Sequence, residues 1–112
     1  MTWNPTVPGG AATPRPRVAY AYASGVATLT IDRAEKSNAL DEAFFRELNA
    51  LVSRIHGDDT VRCVVVTGTG RAFSAGADVA ELDGLAGHAA YEFAATGQFV
   101  FDQLENLPKP VI

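Results

Sequence analysis

Residues 61–78 of the 112-residue chain read VRCVVVTGTGRAFSAGAD, and this stretch decides the fold. Its first part, residues 61–67, is a continuous run of mainly β-branched apolar residues, which predicts a central strand buried on both faces. Cys63 lies inside that run, so we expect it to be an inert core thiol. Gly68-Thr69-Gly70 predicts a turn. The small residues after it lead into a short apolar stretch at 79–82, where we expect a short helix.

Periodic apolar patterns on either side of this segment predict the remaining elements. Residues 18–23 and 26–31 are rich in β-branched and aromatic residues around Ser24-Gly25, which predicts a β-hairpin. Apolar residues at spacings of three and four predict a helix over 41–55 and a second one over 88–106. The face of the first helix comprises Leu40, Phe44, Leu48, Leu51, Val52 and Ile55, and that of the second comprises Ala90, Phe93, Ala94, Gly97, Phe101 and Leu104. The order of strand, strand, helix, strand and helix implies an α/β fold with parallel pairing.

Both ends of the chain differ from this pattern. Residues 1–17 hold four prolines and two glycines without a periodic apolar face, which predicts a flexible tail ahead of the folded region 18–112. Val111 and Ile112 are typical of the beginning of another buried strand. A domain rarely stops one step into a core strand, because that edge would stay unpaired. We therefore expect these residues to be the N-terminal part of a larger domain.

Composition narrows the class of protein. There are 9 basic and 13 acidic side chains, and the net charge of -4 gives no electrostatic footprint for nucleic acid. The single cysteine cannot form an internal disulfide, and the sequence predicts no signal peptide or membrane span. A soluble cytoplasmic protein is the expectation.

The common catalytic constellations are missing from the sequence. His56 and His88 have no ligand spacing with another metal-binding residue, so we expect no metal site. Ser74 does not lie in a Gly-x-Ser-x-Gly elbow. Gly68-Thr69-Gly70 lacks the Gly-Lys-Ser/Thr ending of a P-loop and the third glycine of a dinucleotide fingerprint.

The loop at 73–78 is more informative, and it has two interpretations. Its small residues leave the backbone open to close approach, and unpaired N–H groups near a helix start suit an anion or a developing oxyanion. The same residues also fit a tight strand-to-helix connection in which Asp78 is the N-cap. Spacing alone leaves both interpretations open.

Two segments together identify a family. Residues 64–78, with the upstream residues 28–33 and 36–40, closely resemble the signatures of the crotonase family of enoyl-CoA hydratases and isomerases. Residues 107–112 resemble that family's next strand entry. The resemblance implies an α/β fold, the N-terminal part of a crotonase-like repeated ββα spiral, which is incomplete here. It also implies an acyl-CoA enzyme whose backbone oxyanion hole stabilises a thioester enolate.

The resemblance assigns roles to individual residues. Ala77 matches the position whose backbone N–H is the first oxyanion donor, which makes it the catalytic candidate. Ala39 and Ala75 match positions whose backbone contacts the adenine end of CoA. Lys36 matches a basic position near the CoA phosphates, although a solvated loop lysine explains it equally well. Gly76, Asp78 and Val79 complete the expected substrate-binding set.

The resemblance also bears on partners and activity. No separate cofactor is expected, because CoA is part of the substrate, and the complete protein is expected to be a homo-trimer or hexamer. The second oxyanion donor and the proton-transferring carboxylates of the family lie beyond Ile112. We therefore expect the 112 residues to be inactive alone. The alternative function is a non-catalytic fragment that binds CoA or a partner subunit.

Overall fold

The computed structural model describes residues 15–112. These residues form three strands, three helices and one 3₁₀ turn. The strands are β1 (Val18–Ala23), β2 (Val26–Ile31) and β3 (Cys63–Gly68); the helices are α1 (Glu42–His56), α2 (Val79–Asp83) and α3 (His88–Glu105); the 3₁₀ turn is Ala34–Lys36. The predicted elements are all present, with ends that differ from the predictions by at most two residues.

The strands form one sheet in the order β1-β2-β3. The first two are antiparallel, and Ser24 and Gly25 at their turn have φ angles of 50° and 85°. Two successive positive φ angles are the geometry of a tight hairpin that follows the strand twist. β2 and β3 are parallel, so α1 is the crossover between them. Val111 forms an isolated parallel bridge to Val64 on the other edge of β3, as expected of a strand entry.

The core lies on one side of this sheet, against α1. Ala27, Leu29 and Ile31 alternate inward from β2 and are almost fully buried, and Val64 does the same from β3. α1 contributes a continuous buried face to this core: Phe44, Phe45, Leu48, Val52 and Ile55.

The prediction that β3 is buried on both faces is wrong for the described part of the chain. Only Val64 of this strand is buried, whereas Cys63 and Val65 are half-buried. Successive side chains of a strand point to opposite faces, and α1 covers only the face to which Val64 points. Cys63 is therefore a half-buried free thiol and not a core residue.

Helix α3 is attached to α1 by aromatic contacts. The ring of Phe45 packs edge-to-face against Phe93 and Phe101, with centroids 5.7 and 5.4 Å apart. Gly97 provides the space for that ring, because a Cβ there would lie 3.0 Å from Cζ of Phe45. The predicted face of this helix is only partly correct, since the buried residue Val100 is missing from it and Phe101 is 41% exposed.

Helix α1 is held at both ends by side chains. Asp41 is its N-cap, and its carboxylate accepts a hydrogen bond from Phe44 N. At the other end Lys109 Nζ donates to the carbonyl oxygens of Ile55 and Asp58, each at 2.6 Å. A cation at a helix C-terminus satisfies carbonyls that have no partner within the helix.

Polar contacts with the folded region extend to residues before Val18. Most of the predicted flexible tail, residues 1–14, lies outside the described residues. Arg17, however, donates from its backbone N to Glu47 at 2.7 Å, and its Nε lies 3.0 Å from Asp41 Oδ2. Among residues 15–112, no helix combines the length and apolar character needed to cross a membrane.

Candidate functional site

The side chain of Asn38 organises the loops at the carboxyl edge of the sheet. It is fully buried and has a φ angle of 57°, a left-handed conformation that asparagine tolerates better than most residues. Its Oδ1 accepts from Arg33 N at 2.9 Å. Its Nδ2 donates to the carbonyl oxygens of Thr69 and Ala72, at 2.9 and 2.8 Å. One amide thus joins the loop after β2 to the loop after β3.

The two motif segments of the sequence lie side by side. Ala75 N donates to Ser37 O at 2.9 Å, Leu40 N donates to Gly76 O at 2.8 Å, and Ser74 Oγ donates to Asn38 O at 2.9 Å. More than thirty residues separate these partners along the chain. The parallel crossover brings them together because both segments follow carboxyl ends of neighbouring strands.

The backbone N–H of Ala77 is left without a partner by this pairing. Leu40 and Ala77 form a parallel bridge, in which Leu40 makes both hydrogen bonds, through its N to Gly76 O and through its O to Asp78 N. The N–H of Ala77 therefore points away from Leu40. Within residues 15–112 it has no acceptor, whereas the N–H groups of Ala75, Gly76 and Asp78 all have one.

Gly76, the residue before Ala77, borders open space. Its φ angle of 90° lies in the region that side chains rarely adopt, and a Cβ built there would meet no atom within 4 Å. Asp78 at the same time caps α2, because its Oδ1 accepts from the backbone N of Ala80 and Glu81. The two interpretations of residues 73–78 are therefore compatible, since a capped helix and a free N–H occur in the same loop.

Arg33 is the charged centre of the site. Its Nη1 lies 2.7 Å from Asp78 Oδ2 and 3.5 Å from Asp41 Oδ2, and it donates to Ala39 O at 3.3 Å. The side chains of Arg33 and Asp78 are only 12% and 13% exposed. The hydrogen bond from Arg33, with those from the backbone of Glu81 and Ala80, lowers the pKa of Asp78 below its usual value.

The other predicted site residues differ in exposure. Ala39 is half-buried beside Arg33, while Lys36 and Ala75 are exposed. Val79, at 77% exposed, projects from the start of α2. The ammonium of Lys36 forms no ion pair within the described range 15–112, so nothing in that range neutralises it.

The sequence patterns predicted no role for Asn38 or Arg33, although both lie in the family-like segments 28–33 and 36–40. Their importance arises from contacts with residues 31 to 45 positions away, which no local pattern reveals. The available signal was chemical, because an asparagine in a loop is among the residues that tolerate positive φ and bond to backbone groups.

A small apolar cavity of about 210 Å³ adjoins the loop. Leu40, Val66, Phe73, Ser74 and Val111 are among the residues that line it. A larger groove of about 630 Å³ beside α1 and α3 includes none of residues 73–78. In the described part of the chain, no three His, Cys, Asp or Glu residues cluster in a way that could hold a metal ion.

Replacement of Asn38 by aspartate is expected to destabilise the protein strongly. The new carboxylate oxygen would face the carbonyl oxygens of Thr69 and Ala72, which would also lose their donor. A buried group left unpaired costs about 1–3 kcal/mol, and more when it is charged, so we expect the free energy of unfolding to fall by at least about 2 kcal/mol. Denaturant titration measures this, with Asn49→Asp on α1 as the control, expected within about 0.5 kcal/mol of wild type. A similar small change for Asn38→Asp would contradict the role of this amide.

The contact between Arg33 and Asp78 is expected to make the loop sensitive to acid. The pKa of Asp78 is lower in the folded than in the unfolded protein, so its stabilising contribution is complete above the usual pKa of 3.8. That contribution is lost as the pH falls through the lowered, folded-state pKa. A carbon-13 NMR titration of the Asp78 carboxyl should show its midpoint rise in Arg33→Met and stay unchanged in Arg46→Met. An unchanged midpoint in Arg33→Met would refute this cause.

Comparison with known proteins places this chain in a family. Residues 21–112 match the family model described as enoyl-CoA hydratase/isomerase. Relatives include the crotonyl-CoA hydratase of Syntrophomonas wolfei, 39% identical over 88 residues, and the short-chain-enoyl-CoA hydratase of Clostridium acetobutylicum, 38% identical over 88 residues. Each alignment covers 78% of this chain and 34% of the relative. The chain thus spans about a third of the length of these proteins.

Solved structures agree with the sequence relatives. The enoyl-CoA hydratase of Mycobacterium smegmatis superposes with a TM-score of 0.82 at 33% identity, over 87% of this chain and 38% of that one. The enoyl-CoA hydratase of Bacillus anthracis also gives a TM-score of 0.82, at 29% identity, over 85% of this chain and 38% of that one. The α/β arrangement of residues 15–112 is part of the crotonase fold, and the chain belongs to the enoyl-CoA hydratase/isomerase family.

Proposed function

We propose that this chain supplies the CoA-binding edge and the first oxyanion donor of an enoyl-CoA hydratase or isomerase. The observation that carries the proposal is the N–H of Ala77, which has no acceptor within residues 15–112 while its neighbours' N–H groups are bonded. A donor held in place before the reaction stabilises a developing enolate without the cost of reorganisation.

The substrate-binding role rests on the same loops. Lys36 and Ser37 of the first segment and Ala75 of the second are exposed, as is Ala77 itself, so that an extended CoA moiety could lie along them. Lys36 is exposed and unpaired within the described range, and it is suited to the phosphates of CoA. Asp78 and Val79 border the donor, with Asp78 holding α2 in position and Val79 forming an exposed apolar wall.

The 112 residues are proposed to bind the CoA part of an acyl-CoA thioester without catalysing a reaction of its acyl group. The carboxylate closest to Ala77 in sequence, Asp78, is fully engaged with Arg33 and with the N-terminus of α2, so it is not free to move protons. Catalysis requires a second donor and proton-transferring groups, which this part of the family's fold does not provide. In the complete enzyme the same residues take part in hydration or isomerisation of an acyl-CoA thioester.

Removal of the proposed donor is expected to abolish most of the activity of a complete enzyme. We would replace the equivalent third of the Syntrophomonas crotonyl-CoA hydratase by residues 15–112 and measure crotonyl-CoA hydration. Ala77→Pro removes the N–H, and loss of one oxyanion donor lowers kcat by about 10²–10³-fold. Within residues 15–112 no hydrogen bond uses this N–H, so thermal unfolding should change little. That measurement is the folding control, because a proline could also damage the loop. The control Ala77→Gly keeps the N–H, and kcat should stay within about threefold. Full activity of Ala77→Pro would sink the assignment.

The isolated chain is expected to bind CoA weakly and through Lys36. Isothermal titration at low ionic strength should detect binding of CoA at millimolar concentrations. Lys36→Met should weaken it by about 2–5-fold, the effect of losing one exposed charge contact. Lys109→Met, whose ammonium caps α1 far along the chain from the two segments, is the charge-matched control and should leave the affinity unchanged. Absence of heat at millimolar CoA would rule out independent binding.

A further inference from the structure

The partly buried guanidinium of Arg33 makes all its polar contacts within residues 15–112 through one atom. Its Nη1 reaches Asp78, Asp41 and the carbonyl oxygen of Ala39, at 2.7, 3.5 and 3.3 Å. The Arg33 side chain is 12% exposed, and the carboxylates of Asp41 and Asp78 are 7% and 13% exposed. An ion pair shielded from water in this way is screened less by salt than a surface pair.

These contacts connect the segment 36–40 with residues 73–78, called here the donor loop because it carries the N–H of Ala77. Asp78 directly follows Ala77, and Ala39 directly precedes Leu40, the residue that forms both hydrogen bonds across from Ala77. Arg33 therefore joins the two backbone segments between which the N–H of Ala77 is fixed. The carboxylate of Asp78 divides its oxygens, with Oδ2 on Arg33 and Oδ1 on the backbone N of Ala80 and Glu81. Loss of Arg33 would leave Oδ2 without this partner, so that only the hydrogen bonds at Oδ1 would hold the carboxylate.

The network continues toward the start of the folded region. Asp41 Oδ2 also receives Arg17 Nε at 3.0 Å, while Asp41 Oδ1 caps α1 at Phe44 N. Within residues 15–112, Arg17 forms no hydrogen bond or ion pair with Ala39 or Asp78, so it shares the charge network without holding the donor loop. This difference makes Arg17 the matched control.

We infer that Arg33 is a positioning residue that fixes the backbone N–H of Ala77 by clamping Asp78 and the carbonyl oxygen of Ala39. It touches no reacting atom and acts only through the loop. This inference rests on the proposed function of Ala77. Because a shift of about 1 Å in a catalytic group can cost about 100-fold in rate, the clamp should affect turnover more than substrate binding.

The first test uses the 112-residue chain and needs no activity. In Arg33→Met, hydrogen exchange of the amides of Leu40 and Asp78, which hold the loop, should accelerate at least tenfold. The amide of Val64, bonded to Pro110 O in the sheet, should not change. Arg17→Met should leave the exchange of all three amides as in wild type. Unchanged protection of Leu40 and Asp78 in Arg33→Met would overturn the inference.

The second test uses the hybrid hydratase, in which residues 15–112 replace the equivalent third of the Syntrophomonas crotonyl-CoA hydratase. Arg33→Met should lower kcat by 10- to 100-fold while KM changes less than threefold. Arg33→Lys keeps a cationic donor and should recover at least part of the lost kcat. In Arg17→Met, kcat should stay within twofold of the wild-type value. Asp78→Asn keeps the cap but weakens the clamp. The double variant Arg33→Met/Asp78→Asn should therefore lose no more than Arg33→Met.

The outcomes separate the two proposals. If Ala77→Pro inactivates the hybrid and Arg33→Met does not, only the positioning role is overturned. If Ala77→Pro leaves the hybrid active, the donor assignment and the positioning role fall together. If Arg33→Met fails to fold, Asp78→Asn decides: selective loss of protection at Leu40 with lowered kcat supports the clamp, and normal values for both reject it.

Discussion

The candidate site depends on one buried amide. The side-chain oxygen of Asn38 accepts a hydrogen bond from Arg33 N, and its Nδ2 donates to the carbonyl oxygens of Thr69 and Ala72. A buried polar side chain is tolerated only when such bonds are made, so its position is determined from several sides at once. The left-handed backbone at this residue turns the chain toward Leu40. Leu40 pairs with Ala77 in the parallel bridge and makes both of its hydrogen bonds, which leaves the N–H of Ala77 free within residues 15–112.

The sheet topology supplies the larger frame. A parallel pair of strands with a helical crossover places two loops at the same edge, whatever their separation in sequence. In this chain those loops contain the two signature segments, and the helix between them contributes Asp41, whose carboxylate joins the charge network at its own N-terminus. The proposed acyl-CoA site therefore draws its donor, the support for that donor and its basic residue from one short crossover unit.

Much of this was predictable from sequence, and the misses share a cause. The hairpin at Ser24-Gly25 and the cap at Asp78 follow from local patterns and are confirmed. The predicted face of α1 is confirmed in part, because Phe45 is also buried and Leu51 is only half-buried. Burial of β3 on both faces was wrong, because a run of valines does not reveal how many layers cover the sheet. The contacts of Arg17 and Arg33, and the burial of Val100, depend on partners distant in sequence. Local periodicity carries no information on such partners.

The Lys109 ammonium at the end of α1 bears on the order in which the protein forms. Its acceptors, the carbonyl oxygens of Ile55 and Asp58, precede it by 54 and 51 residues. During synthesis the last turn of that helix is complete in sequence long before its capping cation leaves the ribosome. The α1 C-terminus is therefore a late-closing contact of high sequence separation, while the hairpin and the N-terminal cap can form as soon as they emerge.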